Sequence, residues 1–491
     1  MGRKTLLILI LVTLVPSLLI RLHPTTSESF QYDAVVSQIA AGAGAVANAF
    51  DHGDTFVARR FHPPLLSYII ELNNRLCGDD AFRARIFSIV FGSLACLVVA
   101  IAIAVLLPAG GMRVAAAIMG GWLLCVLPVH LYVSRTSNWD AVYGCFATAS
   151  LLCLALYVSQ ATRIRLQAAA MFGALAFLTC ELGLSLLPAF ACVCLLDMRR
   201  MDRVRTIRRW SGVLLLVAVV FALLWPGGFL ELDLGRTLVY RWWDSTTHVR
   251  NLPWYAFYTE LLEQSPAFTL FVVAGIVITL VVPIRQPGAR TLLASRLSAP
   301  ALPFWIYAAT VFLLSLRQRL VYVHHIVDMF PPLVVAVCME LTVRAQSLTR
   351  TGRRWALGIA AGVVALSTLA ALNPDPGVVG PQEHPGFLGV RDALRDYPGA
   401  KIYCYDTVVL GYYLPGASIE GGTSRLWTAD DVAHAKQMKY DFVVFDRTKL
   451  GAAYSSADSL VSALAPEYHL RWTITHRRTG APVAWILSPQ S

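Results

Sequence analysis

The sequence predicts an all-α polytopic membrane bundle of about eleven transmembrane helices, followed by a small C-terminal α/β domain. Three observations predict it. Of the 491 residues, 56% are hydrophobic and only 14% are charged, against about a quarter charged in soluble domains. Long apolar segments recur up to Leu372, and at 1.5 Å per residue each comes close to crossing a hydrocarbon core about 30 Å thick. After Leu372 the apolar runs shorten and the composition becomes that of a soluble domain.

Arg3-Lys4 and the apolar run from Thr5 to Ile20 have the outline of a signal peptide. The chain continues Arg21-Leu22-His23-Pro24 without a small-x-small cleavage site, so the segment reads as a retained first span with its N-terminus in the cytoplasm. Residues 23–63 form a first outer loop, in which Tyr32 to Phe50 fits a helix lying along the interface. Further spans fall near 84–107, 114–133, 139–159, 166–180, 182–197, 210–226, 267–284, 301–317, 321–343 and 355–372. The pair between 166 and 197 also fits one long helix. Residues 227–266 form a second large outer loop, and residues 1–372 make one transmembrane domain.

The net charge of +11 admits two partners, nucleic acid or a membrane surface. Its distribution selects the membrane. Arg199, Arg200, Arg203, Arg205, Arg208 and Arg209 crowd one segment between apolar runs, and Arg344, Arg350, Arg353 and Arg354 crowd another. Positive charge arranged in this way sets topology at a cytoplasmic face. With Arg3, Lys4, Arg113, Arg163, Arg165, Arg285, Arg290 and Arg296, eighteen basic residues then fall inside. A nucleic-acid partner would want a basic stripe on a soluble fold, and none is present. Eight of the ten cysteines lie in apolar segments, as small hydrophobes do, which argues against a disulfide framework.

Asn373-Pro374-Asp375-Pro376-Gly377 opens a linker over 373–386, and residues 387–491 form the soluble domain. Its apolar runs at 400–405, 440–445 and 482–487 predict buried strands; Phe387–Tyr397 and Ser456–Ala463 predict helices. It has no phosphate-binding glycine loop. The span count places it outside the cytoplasm.

Candidate chemistry begins in the first outer loop, where Tyr32-Asp33 precedes His62-Pro63-Pro64-Leu65. A carboxylate at a membrane surface, then a basic residue on a proline-stiffened return into lipid, suits chemistry on a lipid-carried phosphate. Each motif alone has a plainer reading: a solvated or capping Asp33, and prolines in the first turn of a helix.

A series of motifs, taken in order, resembles one family. Asp33 fits an acidic motif in its first outer loop, although Ala34 stands where a second acid is usual, and His62-Pro63-Pro64-Leu65 matches its second motif fully. Arg83-Ala84-Arg85-x-x-Ser88-x-x-x-Gly92 and Ser134-Arg135-x-x-x-x-Asp140 follow. His248 with Pro253-Trp254-Tyr255 comes next, then Arg319-x-x-Tyr322 with Asp328-Met329-Phe330-Pro331-Pro332. Together they resemble the membrane glycosyltransferases that take a sugar from a polyprenyl- or dolichyl-phosphate carrier. These are the C-type superfamily, which includes protein O-mannosyltransferases and the enzyme that adds aminoarabinose to lipid A. The likeness spans roughly residues 5–345.

The resemblance implies that Asp33 is the general base toward an acceptor hydroxyl. A single carboxylate suits inversion at the anomeric carbon. It implies that His62, Arg83, Arg85, Arg319 and His248 meet the donor phosphate, and that Asp140, Arg135, Glu181 and Tyr322 contact the acceptor or support those that do. Asp140 also has a structural reading as the partner of Arg135, and Glu181 marks a break between two apolar halves.

A divalent cation is compatible with this set but not required by it, and no metal site is assigned. His324-His325 beside Asp328 is a poor one, because adjacent histidines on a helix point about 100° apart. Asp51-His52-x-Asp54 reads as a solvated turn, and Trp242, Trp243, Trp254 and Tyr255 fit an interfacial belt as well as a sugar platform.

The expected partners are a polyprenyl-phosphate sugar donor, a lipid, glycan or protein acceptor, and membrane lipids, with no nucleic acid. The expected location is a bacterial inner membrane. A transporter or flippase would also explain many spans, but no internal repeat with broken helices is visible. A non-catalytic subunit of a glycan assembly is the other alternative, kept open by Ala34.

Overall fold

The computed structural model describes residues 2–22, 64–78, 83–135, 139–225, 262, 265–284, 300–317, 327–346, 348–372, 386–405, 407–421, 427–446, 450, 453–475 and 481–490. The chain divides into two compact units; among the described residues the first covers the helices up to Leu372 and the second residues 78, 83–84 and 386–490.

In the first unit α1, Arg3–Leu22, carries a π turn over Ile10–Leu14. Positions four apart drift about 40° per step around an ideal α-helix, and the wider π turn offsets part of that drift. Leu9, Thr13, Ser17 and Arg21 are therefore all buried on one side. Next come α2, Leu65–Cys77, and α3, Ile86–Leu106, which follows a 3-10 turn, Arg83–Arg85, whose first two residues are grouped with the second unit. The unit continues with α4, Gly111–Cys125, α5, Pro128–Arg135, α6, Asp140–Ser159, and α7, Arg163–Thr179. After a second 3-10 turn, Glu181–Leu186, come α8, Leu187–Arg200, and α9, Arg203–Leu224. The last four are α10, Pro266–Ile284, α11, Leu302–Arg317, α12, Phe330–Gln346, and α13, Arg350–Leu372.

Burial separates centre from rim. α3 packs against α4, α6 and α12, and 72% of the α6 span is buried against 6% of α9. An apolar helix that covers so little of itself needs lipid around it. The chain is an integral membrane protein.

Helices lie over the expected apolar runs, but among the described residues five are long and apolar enough to cross a membrane. The number is six if the pair Met112–Cys125 and Pro128–Arg135, bent by 62°, forms one span. α7, α11 and α12 have 17, 16 and 17 residues, which reach only about 25 Å at helical rise.

The stretch 166–197 is not one helix either. Cys180 is extended (φ −155°, ψ 140°), the 3-10 turn follows, and Pro188 starts α8 near its N-terminus, where a missing N–H costs nothing.

The arginines expected in loops lie largely on helix ends. Asp202 caps α9 by accepting from the Arg205 amide at 2.8 Å, so Arg203 to Arg209 are already helical. Arg165 donates to the Leu156 carbonyl (2.9 Å), Arg200 to Val158 (3.3 Å) and Arg209 to Ala161 (3.2 Å). Cations thus satisfy carbonyls at and just beyond the C-terminal end of α6, where the helix dipole favours them.

The second unit holds α14, Phe387–Leu394, β1, Lys401–Cys404, α15, Thr407–Tyr413, and β2, Ser418–Glu420. They are followed by α16, Ala429–Met438, β3, Phe442–Asp446, α17, Ala457–Leu464, β4, Tyr468–Thr475, and β5, Pro482–Pro489. The sheet order is β2-β1-β3-β5-β4. β1 pairs in parallel with β2 and β3, while β5 pairs antiparallel with β3 and β4.

Alternate strand residues serve two cores. Ile402, Cys404, Phe442, Val444, Ala484 and Ile486 pack with α14 and α15. Tyr403, Val443, Phe445, Trp485 and Leu487 pack with α16 and α17. Covering both faces explains why these strands read as continuous apolar runs.

Candidate active site

Among the residues singled out from sequence, Asp33, His62, His248, Arg319 and Tyr322 lie outside the described residues, as do His324, His325 and the 51–54 acids. Arg83, Arg85, Arg135, Asp140 and Glu181 can be placed. Arg83 and Arg85 begin and end the 3-10 turn ahead of α3, and Arg85 is buried. Arg135 ends α5, and Asp140, only 1% exposed, begins α6. Glu181 opens the turn between α7 and α8.

Among the described residues, the positions singled out from sequence fall near two polar clusters of the first unit. One forms around Arg21, which sequence reasoning read only as the end of the first span. Its Nη1 donates to the Ser17 carbonyl at 3.2 Å, and its Nη2 is 2.8 Å from Nδ1 of His130. The thiols of Cys96 and Cys125 lie 3.6 and 3.7 Å from the same guanidinium. Arg135 joins α1 as well, donating from Nη2 to the Ile20 carbonyl at 2.6 Å. Gly92 permits this approach: a Cβ there would collide with Ser134 Oγ and stand 3.3 Å from Arg21 Nε.

The second cluster gathers around Asp140. Asp328, in the turn before α12, is 3% exposed and lies against α6 one turn beyond Asp140, where a Cβ at Gly144 would stand 3.2 Å from its Oδ1. The Tyr143 hydroxyl, one turn into α6, is 2.7 Å from the Tyr307 hydroxyl, 3.1 Å from Ser185 Oγ and 3.0 Å from the Leu182 carbonyl. Leu182 follows Glu181, so the turn opened by Glu181 is held against the same part of α6. The fold thus brings Asp140, Asp328 and the Glu181 turn into one neighbourhood, and Arg135 also reaches the end of α1.

Two acids in an apolar interior need compensating positive charge or a shared proton. Among the described residues no cluster of three or more His, Cys, Asp or Glu side chains is placed to hold a metal. The sequence placed Asp328 in a motif at the start of an apolar run but could not pair it with the Asp140 end of α6, which is distant along the chain. Arg21 carried a similar signal, as a cation closing an apolar run.

The profile of the dolichyl-phosphate-mannose-protein mannosyltransferase family matches residues 61–225, which include Arg83, Arg85, Arg135, Asp140 and Glu181. The chain superposes on ArnT from Cupriavidus metallidurans bound to undecaprenyl phosphate with a TM-score of 0.61. The match has 15% identity and covers 97% of each chain. The apo state of the same enzyme gives 0.60 at 14% identity, again over 97% of both chains.

The fold is that of ArnT. Coverage of 97% in both directions leaves no large part of either chain outside the match, so the ArnT fold includes the soluble tail as well as the bundle. The arabinofuranosyltransferase AftD from Mycobacteria is more distant, with a TM-score of 0.50 and 13% identity over 99% of this chain and 42% of its own. No curated protein matches the chain in sequence. The resemblance read from the motifs to mannosyltransferase-like membrane enzymes therefore agrees with a sequence profile and with the ArnT fold.

Proposed function

We propose that the protein is an inverting membrane glycosyltransferase that moves a sugar from a polyprenyl-phosphate donor to an envelope acceptor. The acceptor is a lipid, glycan or protein at the outer face of a bacterial inner membrane. The observation that carries this reading is the ArnT fold, matched end to end by an enzyme whose structure holds undecaprenyl phosphate. Residues 1–372 act as the transferase domain with eleven spans, 373–386 as a linker and 387–491 as an extracytoplasmic domain, with the N-terminus in the cytoplasm.

In the reaction Asp33 takes the proton of an acceptor hydroxyl as its oxygen attacks the anomeric carbon. The carbon–oxygen bond to phosphate breaks, polyprenyl phosphate leaves with the electron pair, and the configuration inverts. His62, Arg83, Arg85, Arg319 and His248 offset the charge that builds on the departing phosphate. Asp140, with Arg135, Glu181 and Tyr322 in support, holds the acceptor.

The test is transfer of radiolabelled sugar from membrane polyprenyl-phosphate donors to the cell envelope, with wild type and Asp33→Asn at equal expression. Loss of at least two orders of magnitude is expected when a general base is removed. Equal labelling by the two proteins sinks the reading.

A further inference from the structure

The reaction proposed above leaves unused a cleft on the second unit. It encloses about 590 Å3, within the usual range for small-molecule sites of about 300–1000 Å3. Its walls are the turn after α14, the start of β3, the edge strand β4 and the end of β5. Four side chains with chemistry line it: Asp441, His469, Arg471 and Ser488.

Arg471 is held in place by aromatic rings. Its guanidinium carbon lies 4.4 Å from the Trp472 ring centroid, 5.3 Å from that of Tyr397 and 5.9 Å from that of Phe442. Its Nη2 donates to the Tyr397 hydroxyl at 2.7 Å. Stacking fixes the plane of the fork and spends one of five N–H donors. Among the described residues no carboxylate pairs with it. Beside it on β4, His469 Nε2 is 3.3 Å from Ser488 Oγ. Asp441 Oδ2 accepts from the Lys401 amide at 2.8 Å, and the carboxylate has a second oxygen that can accept.

This combination selects a ligand class. A pre-oriented guanidinium beside an imidazole matches a phosphate. A bare phosphate would be repelled by Asp441, whereas a sugar hydroxyl would donate to it. A neutral sugar would have no use for the fixed guanidinium. We propose that this cleft binds a phosphorylated saccharide of one or two rings, with the phosphate on Arg471 and His469 and a hydroxyl on Asp441. The inference does not rest on the transfer reaction, because none of these residues takes part in it.

The test uses the full chain in nanodiscs and ligand-observed saturation-transfer NMR with glucose 6-phosphate, glucose and inorganic phosphate. Glucose 6-phosphate is expected to bind saturably, and glucose and inorganic phosphate at least tenfold more weakly. Arg471→Ala should weaken glucose 6-phosphate tenfold or more, and Arg471→Lys, which keeps the charge but not the fork, severalfold. His469→Ala, at an exposed edge position, should also weaken it severalfold and guards against a folding defect in the arginine variants. Unchanged binding in Arg471→Ala and His469→Ala would overturn the proposal. So would equal binding of inorganic phosphate, which describes an anion site only, or displacement of glucose 6-phosphate by phosphatidic acid in the nanodisc, which describes a headgroup site.

Discussion

The Arg21 guanidinium lies 2.8 Å from Nδ1 of His130, joining α1 to α5 within the helical unit. Arginine stays protonated and can only donate. His130 therefore accepts through Nδ1 and carries its proton on Nε2.

Removing one partner of such a pair leaves the other buried and unsatisfied. Arg21→Ala should lower stability by about 2–3 kcal/mol, read as thermal unfolding in detergent. Arg21→Lys should recover little of it, because an ammonium lacks the fork that reaches Ser17 and His130 together. A wild-type melting curve for Arg21→Ala would show that α1 is held by its apolar contacts alone.

Gly144 and Asp328 form a second tight junction. A Cβ at Gly144 would stand 3.2 Å from Asp328 Oδ1, closer than ordinary van der Waals contact. Gly144→Val, with two further methyls, should push α12 from α6 and cost about 1–3 kcal/mol. Asp328→Ala removes the obstructing oxygen. A double-mutant cycle on unfolding should therefore return a favourable coupling of about 1 kcal/mol or more between the two changes. Strict additivity would mean that the helices adjust elsewhere.

Asp197 holds the other end of α6. Its Oδ2 accepts from the Tyr157 hydroxyl at 2.6 Å and from Trp210 Nε1 at 3.0 Å, tying α6, α8 and α9 together among the arginines. Asp197→Ala leaves two donors without an acceptor and should cost roughly 2–4 kcal/mol. Far along α6 from Asp140, it should lower the amount of folded protein without changing the apparent affinity for a lipid-phosphate donor. A shift in that affinity at unchanged stability would contradict this structural role.

How much could be read in advance depended on whether the chain advertises its burial locally. β1, β3 and β5 were legible because they are covered on both faces and so run apolar without a break. β4 was not: its exposed positions carry His469 and Arg471, as an open edge does, and β2 has only three residues. α16 is too polar for an apolar stripe, although Thr428 and Asp431 spell out its capping box. The same division runs through the candidate site. Asp140 was legible as an acid opening an apolar helix. Its meeting with Asp328, and that of Arg21 with His130, arise only from helix packing, which no local pattern encodes.

The capping box of α16 gives the soluble unit a defined acid sensitivity. The Asp431 side chain accepts from the Thr428 amide at 2.8 Å and from the Tyr403 hydroxyl at 3.0 Å. Burial pushes its carboxyl up, but the hydrogen bonds from Thr428 and Tyr403 help to outweigh that and hold it below the usual carboxylate value. A carboxyl with a depressed folded value stabilises fully above its unfolded pKa, about 3.9. That stabilisation is lost as pH falls through the lower folded value. Hydrogen exchange at α16 should therefore stay slow down to about pH 4 and quicken below it. In Asp431→Asn the protection should already be weaker at pH 7 and much less dependent on pH. Parallel pH profiles for the two proteins would place the acid-sensitive group elsewhere in the unit.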